Sequence, residues 1–165
     1  MSIFDVFKKK KTIDSSNEFN IFSANISYLM SNSKRIEDSD IAEICIDRIA
    51  SHISKLKPKH IKHGKEGSVE VVEDEINFRL SHYPNELMTT SEFIYKVVSL
   101  LLTNNNCFIY LSFNQKNQLT GLYPLNPVKV EIKQDLGETL FLDMDFGDGK
   151  TYTLPYESLI HLKRL

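Results

Sequence analysis

The chain has 165 residues, a hydrophobic fraction of 41% and a formal net charge of -2. This length and apolar content predict one globular unit with a buried core, and the near-neutral charge excludes a free nucleic-acid-binding domain of the strongly basic kind. No apolar run is long enough to span a bilayer. At the N-terminus, the lysines follow the apolar residues, which is the reverse of the order in a secretory signal. We therefore expect a soluble protein made in a cytoplasm.

The charges are unevenly distributed along the chain. Up to Lys65 there are 12 Lys and Arg residues against 8 Asp and Glu, and after it 8 against 14. From Thr12 to Ser39 the sequence is rich in Ser and Asn, and its apolar patch is too weakly periodic to assign. We expect residues 1–38 to form a flexible N-terminal arm that is solvated or contacts nucleic acid or a neighbouring chain. The lysines that would make such contacts are Lys8, Lys9, Lys10 and Lys11.

The first predicted element is an amphipathic helix that begins at Ser39 or Asp40 and ends before Pro58. Its apolar side chains recur at spacings of three and four, which puts them on one stripe. Acidic residues in the first turn and lysines in the last suit the helix dipole. The stripe, which we expect to face the core, comprises Ile41, Ile44, Cys45, Ile49, Ile53 and Leu56.

Between this helix and the next long one, the sequence predicts a loose hairpin and a short helix. Two β-prone stretches within residues 59–72 flank a loop that contains Gly64 and Gly67. The following residues, Glu73 to Leu80, favour a short helix that ends at the turn containing Pro84.

A second long helix is predicted after this turn. Thr89 and Glu92 have the spacing of a capping box, and pairs of apolar residues recur behind them. The apolar stripe is wide, so this helix should be the central core helix. Asn104 to Asn106 provide residues that tolerate left-handed backbone and so end it.

From Cys107 onwards, the apolar period changes from helical to alternating, which indicates strands. Alternating stretches follow one another, separated by turns rich in Asn, Gly and Asp, and the chain ends with one more short strand. The order of elements predicts an α+β domain over residues 39–165, with two main amphipathic helices packed on an antiparallel β meander.

Three histidines come close together in the sequence, and they raise the question of a metal site. His60 and His63 are separated by an odd number of positions, so a strand would turn their rings to opposite faces, and His52 lies farther back. We therefore predict structural or solvated histidines.

A second set of metal-ligating residues is Asp143, Asp145 and Asp148. The first two would share a strand face, but the distal bidentate Glu of a calcium loop is missing at its required spacing. A solvated strand face that leads into a Gly-Asp-Gly turn is the preferred interpretation. We predict no metal and no cofactor.

The sequence also lacks the patterns of catalytic nucleophiles. It contains no nucleophile elbow, no papain-like cysteine context, no Ser-Lys motif and no phosphate-binding glycine loop. Cys45 and Cys107 lie in apolar segments and are predicted to be buried thiols rather than a disulfide pair. These patterns predict a protein that is not an enzyme.

From Ile41 to Leu165, the order of segments resembles the front part of portal proteins of long-tailed phages. The most specific piece is "GLYPLNPVKVEI", which is similar to the family's apolar strand, Leu/Pro-rich turn and charged alternating strand. The turn of Pro84 and Asn85 before a capped helix also matches, and "LIHLKRL" resembles the family's His-and-basic strand that precedes the stem.

The resemblance implies a wing-like domain of a portal ring, cut before the stem and clip regions of a full-length chain. Such rings are dodecameric, sit at one capsid vertex of the virion and carry out no chemistry. They let viral DNA enter and leave, so the implied partners are other portal subunits, the terminase large subunit, capsid and head-tail adaptor proteins, and double-stranded DNA bound without sequence preference. No membrane is implied, and synthesis would take place in the bacterial host cytoplasm.

The same resemblance singles out the last strand as a surface that faces DNA or a neighbouring subunit. The residues are His161, Lys163 and Arg164. Phosphate contacts without base readout would suit a tunnel through which DNA must slide. A solvated strand end or an inter-subunit salt bridge is the plainer interpretation of these residues. A stand-alone α+β protein-interaction module is the alternative for the whole chain.

Overall fold

In the computed structural model, the described residues are 40–64, 67–135 and 137–164. Within them, three helices precede two three-stranded antiparallel sheets, and a short hairpin lies between the first and second helices. The helices are α1 (Asp40–Ile53), α2 (Glu75–Ser81) and α3 (Thr90–Asn104). The strands are β1 (Ile61–His63), β2 (Val69–Val71), β3 (Asn106–Phe113), β4 (Leu119–Leu125), β5 (Lys129–Gln134), β6 (Leu140–Asp145), β7 (Thr151–Pro155) and β8 (Leu159–Lys163). The predicted N-terminal arm, including its four lysines, lies outside the described residues.

Helix α3 has the termini that the sequence predicts. The backbone N–H of Thr89 donates to Glu92 Oε2 at 2.8 Å, and the Thr89 hydroxyl accepts from the Glu92 N–H at 3.4 Å. At the other end, Asn105 adopts a left-handed φ of 56°, which ends the helix. Phe93 and Leu100 are buried, so α3 is the central helix as expected.

Helix α1 begins where expected but ends at Ile53, four residues before the predicted end. The face that it turns to the core also differs from the prediction. Its contact with α3 is made on the side of Ala50, which is fully buried, while Ile46 and Ile53 are half-buried. This side is rotated by about a quarter turn from the predicted stripe, at about 100° per residue. The expected core residues that are instead exposed are Ile41, Ile44, Cys45, Ile49 and Leu56. The face that contacts α3 therefore carries one small and two larger apolar side chains, namely those of Ala50, Ile46 and Ile53.

The α+β class and the antiparallel pairing are confirmed, but the strands do not form one continuous meander. They divide into a sheet of order β4-β3-β8 and a sheet of order β5-β6-β7, with β1 and β2 as a separate hairpin. Pro155 and a 3-10 turn at Tyr156–Ser158 separate β7 from β8. As a result, β8 returns to the free side of β3, with Phe108 opposite His161.

The two three-stranded sheets and the helices form layers around two apolar clusters. One cluster lies between the helices and β3 and β4, and the other lies between the two sheets. Strand β3 serves both clusters because its side chains alternate: Cys107 and Ile109 point to the helices, and Phe108 points to the other sheet. Burial of Cys107 is therefore confirmed, and β3 is the centre of the fold.

Candidate DNA-facing or inter-subunit surface

His161 lies on β8, at one edge of the β4-β3-β8 sheet. Its ring stacks on Phe108 with 4.2 Å between the ring centroids. Nδ1 lies 3.1 Å from the Tyr156 hydroxyl, and Nε2 lies 3.0 Å from Oδ1 of Asn106. The ring is thus held on both nitrogens and on one face.

The charge state of His161 follows from this setting. Partial burial lowers the pKa of the imidazole below its ordinary value, and the neighbouring positive charge of Lys163 lowers it further. A neutral ring fits both partners, because the Nε2–H donates to Asn106 and Nδ1 accepts from Tyr156. His161 therefore positions the end of β8 as a neutral group and is not a cation at neutral pH.

Lys163 and Arg164 are both exposed at the end of β8. Alternation along the strand puts Lys163 on the face of His161, whereas Arg164 follows the last strand residue. The Arg164 backbone N–H donates to Asn105 O at 3.0 Å, which ties the chain to the end of α3. Among the described carboxylates, none forms an ion pair with either side chain. The two cations are thus available to an outside anion.

A groove of about 390 Å³ runs beside His161, between the two three-stranded sheets. Its polar end is formed by Asn106 and His161, and its outer wall by Val128 and Ile132, which are 46% and 62% exposed. Among the described strands, β5, which carries Ile132, lies at the edge of its sheet. Sequence reasoning missed this wall, because a strand with alternating charges gives no sign of which face stays open. The groove thus combines a polar end with an exposed apolar wall.

The other polar residues singled out in the sequence serve the fold. His60 Nδ1 lies 2.8 Å from Asp74 Oδ2, and its backbone N–H donates to Asn77 Oδ1 at 3.1 Å, so His60 joins the hairpin to α2. His63 is exposed on β1. Across residues 40–64, 67–135 and 137–164, no three metal-ligating side chains gather as a cation site.

The aspartates of β6 and its turn each have local partners. Asp143 accepts from Lys133 and Thr153 across the sheet. Burial alone would raise the pKa of Asp143, but these hydrogen bonds lower it below the ordinary value. Asp145 accepts from the Gly147 N–H at 2.7 Å, and Asp148 accepts from the Lys150 N–H at 3.0 Å. The carboxylates thus organise strands and turn.

The two cysteines differ in their environment. Burial raises the pKa of the Cys107 thiol to about 12, so it remains protonated and inert at neutral pH. Cys45 is exposed on α1, contrary to the predicted burial. The sequence placed it on a stripe that faces away from α3.

Comparison of the chain with known proteins identifies a family. A family model described as phage portal protein matches residues 41–165, which include nearly all of α1 and every later element. No curated protein matches the chain. In the part of the chain that the structure describes, no helix has both the length and the apolar composition that crossing a bilayer requires.

Proposed function

Because the chain belongs to the phage portal protein family, a family of structural proteins of the phage particle, we propose that it is the wing-like part of a portal ring subunit. In this proposal, the ring stands at one capsid vertex, and viral DNA passes through it during packaging and ejection. The subunit acts by binding and shape, and it is not an enzyme.

The observation that carries the proposal is the extent of the family match. It covers α3, both three-stranded sheets and the last strand β8, so it concerns the whole described domain. A match of this extent is not a short motif that arises by chance. The match also covers the same segments, Ile41 to Leu165, whose order resembles that of portal proteins.

The surfaces of the domain support a binding role. The groove wall of Val128 and Ile132 exposes apolar side chains at the sheet edge that β5 forms among the described strands, and such patches are typical of protein contacts. We propose that this surface contacts other proteins of the phage particle and its packaging machinery. These are other portal subunits, the terminase large subunit, capsid proteins and head-tail adaptor proteins.

The end of β8 supports the DNA part of the proposal. Lys163 and Arg164 carry positive charge that no described carboxylate neutralises. Phosphate contacts of this kind hold DNA without reading its sequence, and salt screens them. A tunnel that lets a genome slide needs contacts of this type, and neutral His161 orients the strand that bears them.

Ring formation tests the proposal. The chain would be produced together with the coding sequence that follows it in the same reading frame, and imaged by negative-stain electron microscopy over a range of salt concentrations. We expect closed rings. Monomers at every salt concentration would contradict the proposal and favour a stand-alone protein-interaction module.

A further inference from the structure

A second cavity, of about 440 Å³, lies at the first turns of α3, beside the end of α1. It is lined by Leu87 and Met88 of the turn before α3, by side chains of α3 itself, and by Ser54, which follows α1. It shares no lining residue with the groove beside His161. We term it the Lys96 cavity, after the one cation in its lining.

Lys96 is half-buried in this lining and has no counter-ion. None of the described Asp and Glu residues forms an ion pair with it. Glu92 lies one turn earlier, at the spacing at which such pairs form on a helix. However, Glu92 Oε2 accepts from the Thr89 N–H at 2.8 Å and from the Thr89 hydroxyl at 2.9 Å. The capping box of α3 thus occupies the carboxylate that has the right spacing to neutralise Lys96.

A half-buried ammonium without a counter-ion is unfavourable, because burial removes water that would solvate the ion. This burial lowers the pKa of the Lys96 amine below its ordinary value. Most lysines avoid the cost by extending the amine into solvent. An anion beside Lys96 would offset the cost, so a negative charge is the complement that the cavity lacks.

The walls around Lys96 are mainly apolar. Leu87 is 47% exposed, and Met88 is half-buried beside it. The ring of Tyr95 forms a further wall, and its hydroxyl donates to Asp47 Oδ1 at 2.8 Å, which ties this wall to α1. Ser91 adds a hydroxyl that can donate to an anion. A small inorganic anion would leave the apolar walls uncovered, so the chemistry favours a ligand with one negative charge and an apolar body.

We propose that the Lys96 cavity binds a carboxylate carried on a short aliphatic chain, with the Lys96 ammonium as its cation and with Leu87 and Met88 against the chain. Hydrogen bonds between an ammonium and a carboxylate are charge-assisted and so are stronger than neutral ones. Two sources offer this chemistry, a free aliphatic acid and a glutamate side chain of another protein. The site lies within one chain, so it does not depend on the proposed ring.

Titration of the 165-residue chain with sodium hexanoate tests the site, with the methionine methyl groups labelled with carbon-13 for NMR. Met88 lines the cavity, whereas Met144 is fully buried between the two sheets and serves as the internal control. We expect hexanoate to shift the Met88 signal with a Kd on the order of millimolar, and to leave Met144 in place. Acetate and hexan-1-ol, which each lack one of the two parts, should bind roughly tenfold more weakly.

Substitutions of Lys96 identify the cation. Lys96→Met removes the charge and keeps an apolar stem, so hexanoate should bind roughly tenfold more weakly, about as weakly as hexan-1-ol. Lys96→Arg keeps the charge and should retain binding. Lys116→Met, the matched control on an exposed turn, should bind like the parent. Because Lys96→Met removes an unpaired half-buried charge, it should unfold at no lower urea concentration than the parent, which separates loss of binding from loss of fold.

A capped Leu-Glu dipeptide, whose one carboxylate is on its side chain, distinguishes the two sources. Tighter binding of this dipeptide than of hexanoate would assign the cavity to a glutamate of another protein, and the reverse order would assign it to a free acid. Three results would overturn the proposal. They are an unmoved Met88 signal with both probes, equal binding of hexanoate and hexan-1-ol, and binding of hexanoate that Lys96→Met leaves unchanged. All of these measurements use the single chain, so their outcome does not depend on whether rings form.

Discussion

The side-chain amide of Asn85 donates a hydrogen bond to the backbone carbonyl of Leu122 at 2.7 Å, between positions 37 residues apart. Asn85 is 1% exposed, and its Oδ1 also accepts from the Leu87 N–H at 2.9 Å. Next to it, the Leu122 N–H donates to Pro84 O at 2.8 Å. The turn before α3 is thus bonded to β4, the strand of the "GLYPL" motif.

We expect Asn85→Leu to lower the free energy of unfolding by about 1–3 kcal/mol, because the Leu122 carbonyl would remain buried without its side-chain partner. Urea unfolding followed by circular dichroism measures this. Gln115→Leu, at an exposed turn position, is the control and should change stability by less than about 0.5 kcal/mol. Equal effects of the two changes would rule out a special role for Asn85.

Stability should depend on pH through His161. Its pKa is lowered in the folded state by burial and Lys163, so the neutral ring contributes stability that is present above the unfolded value of about 6.5. This contribution is lost as the pH falls through the lower folded value. The difference in unfolding free energy between the parent and His161→Gln should therefore shrink from pH 7.5 to pH 5. A difference that is constant over this range would show that the ring does not titrate with folding.

Lys163→Gln with Arg164→Gln should weaken the binding of double-stranded DNA by assembled rings equally for all sequences. The slope of log affinity against log salt should fall by about 1.8, since each phosphate contact contributes about 0.9. Fluorescence anisotropy at several salt concentrations measures the slope. Lys116→Gln with Lys150→Gln, two lysines on exposed turns, should leave it unchanged. Loss of rings in the first variant would instead assign the two cations to contacts between subunits.

Asp143 should act as a structural group and not as a metal ligand. Asp143→Asn removes the acceptor of Lys133 and weakens that of Thr153, so we expect a loss of about 1 kcal/mol in the free energy of unfolding. Adding Mg²⁺ or Ca²⁺ should not raise the melting temperature of the parent chain. A rise that Asp143→Asn abolishes would reveal a cation site on β6.

The existence and type of most helices and strands were predictable because local chemistry sets them, although α1 ends four residues before its predicted end. The Thr89 and Glu92 pair and the left-handed Asn105 define α3 through contacts within a few residues. The alternating stretches after Cys107 likewise become strands β3 to β8. The class of fold follows from these elements, and so does the family resemblance, which depends on the order of the same segments.

Contacts between distant segments decided which helix face is buried and how the last strand pairs. From periodicity alone, the stripe of Ile41 and Ile44 was the better core face, yet α1 packs on α3 on the side of Ala50. The pairing of β8 with β3 depends on a redirection of the chain after Pro155, and it alone brings His161 against Phe108. The helices, the strands and the order of segments that carries the family resemblance thus follow from neighbouring residues. Which faces are buried and which remain open to partners follows from packing between distant segments.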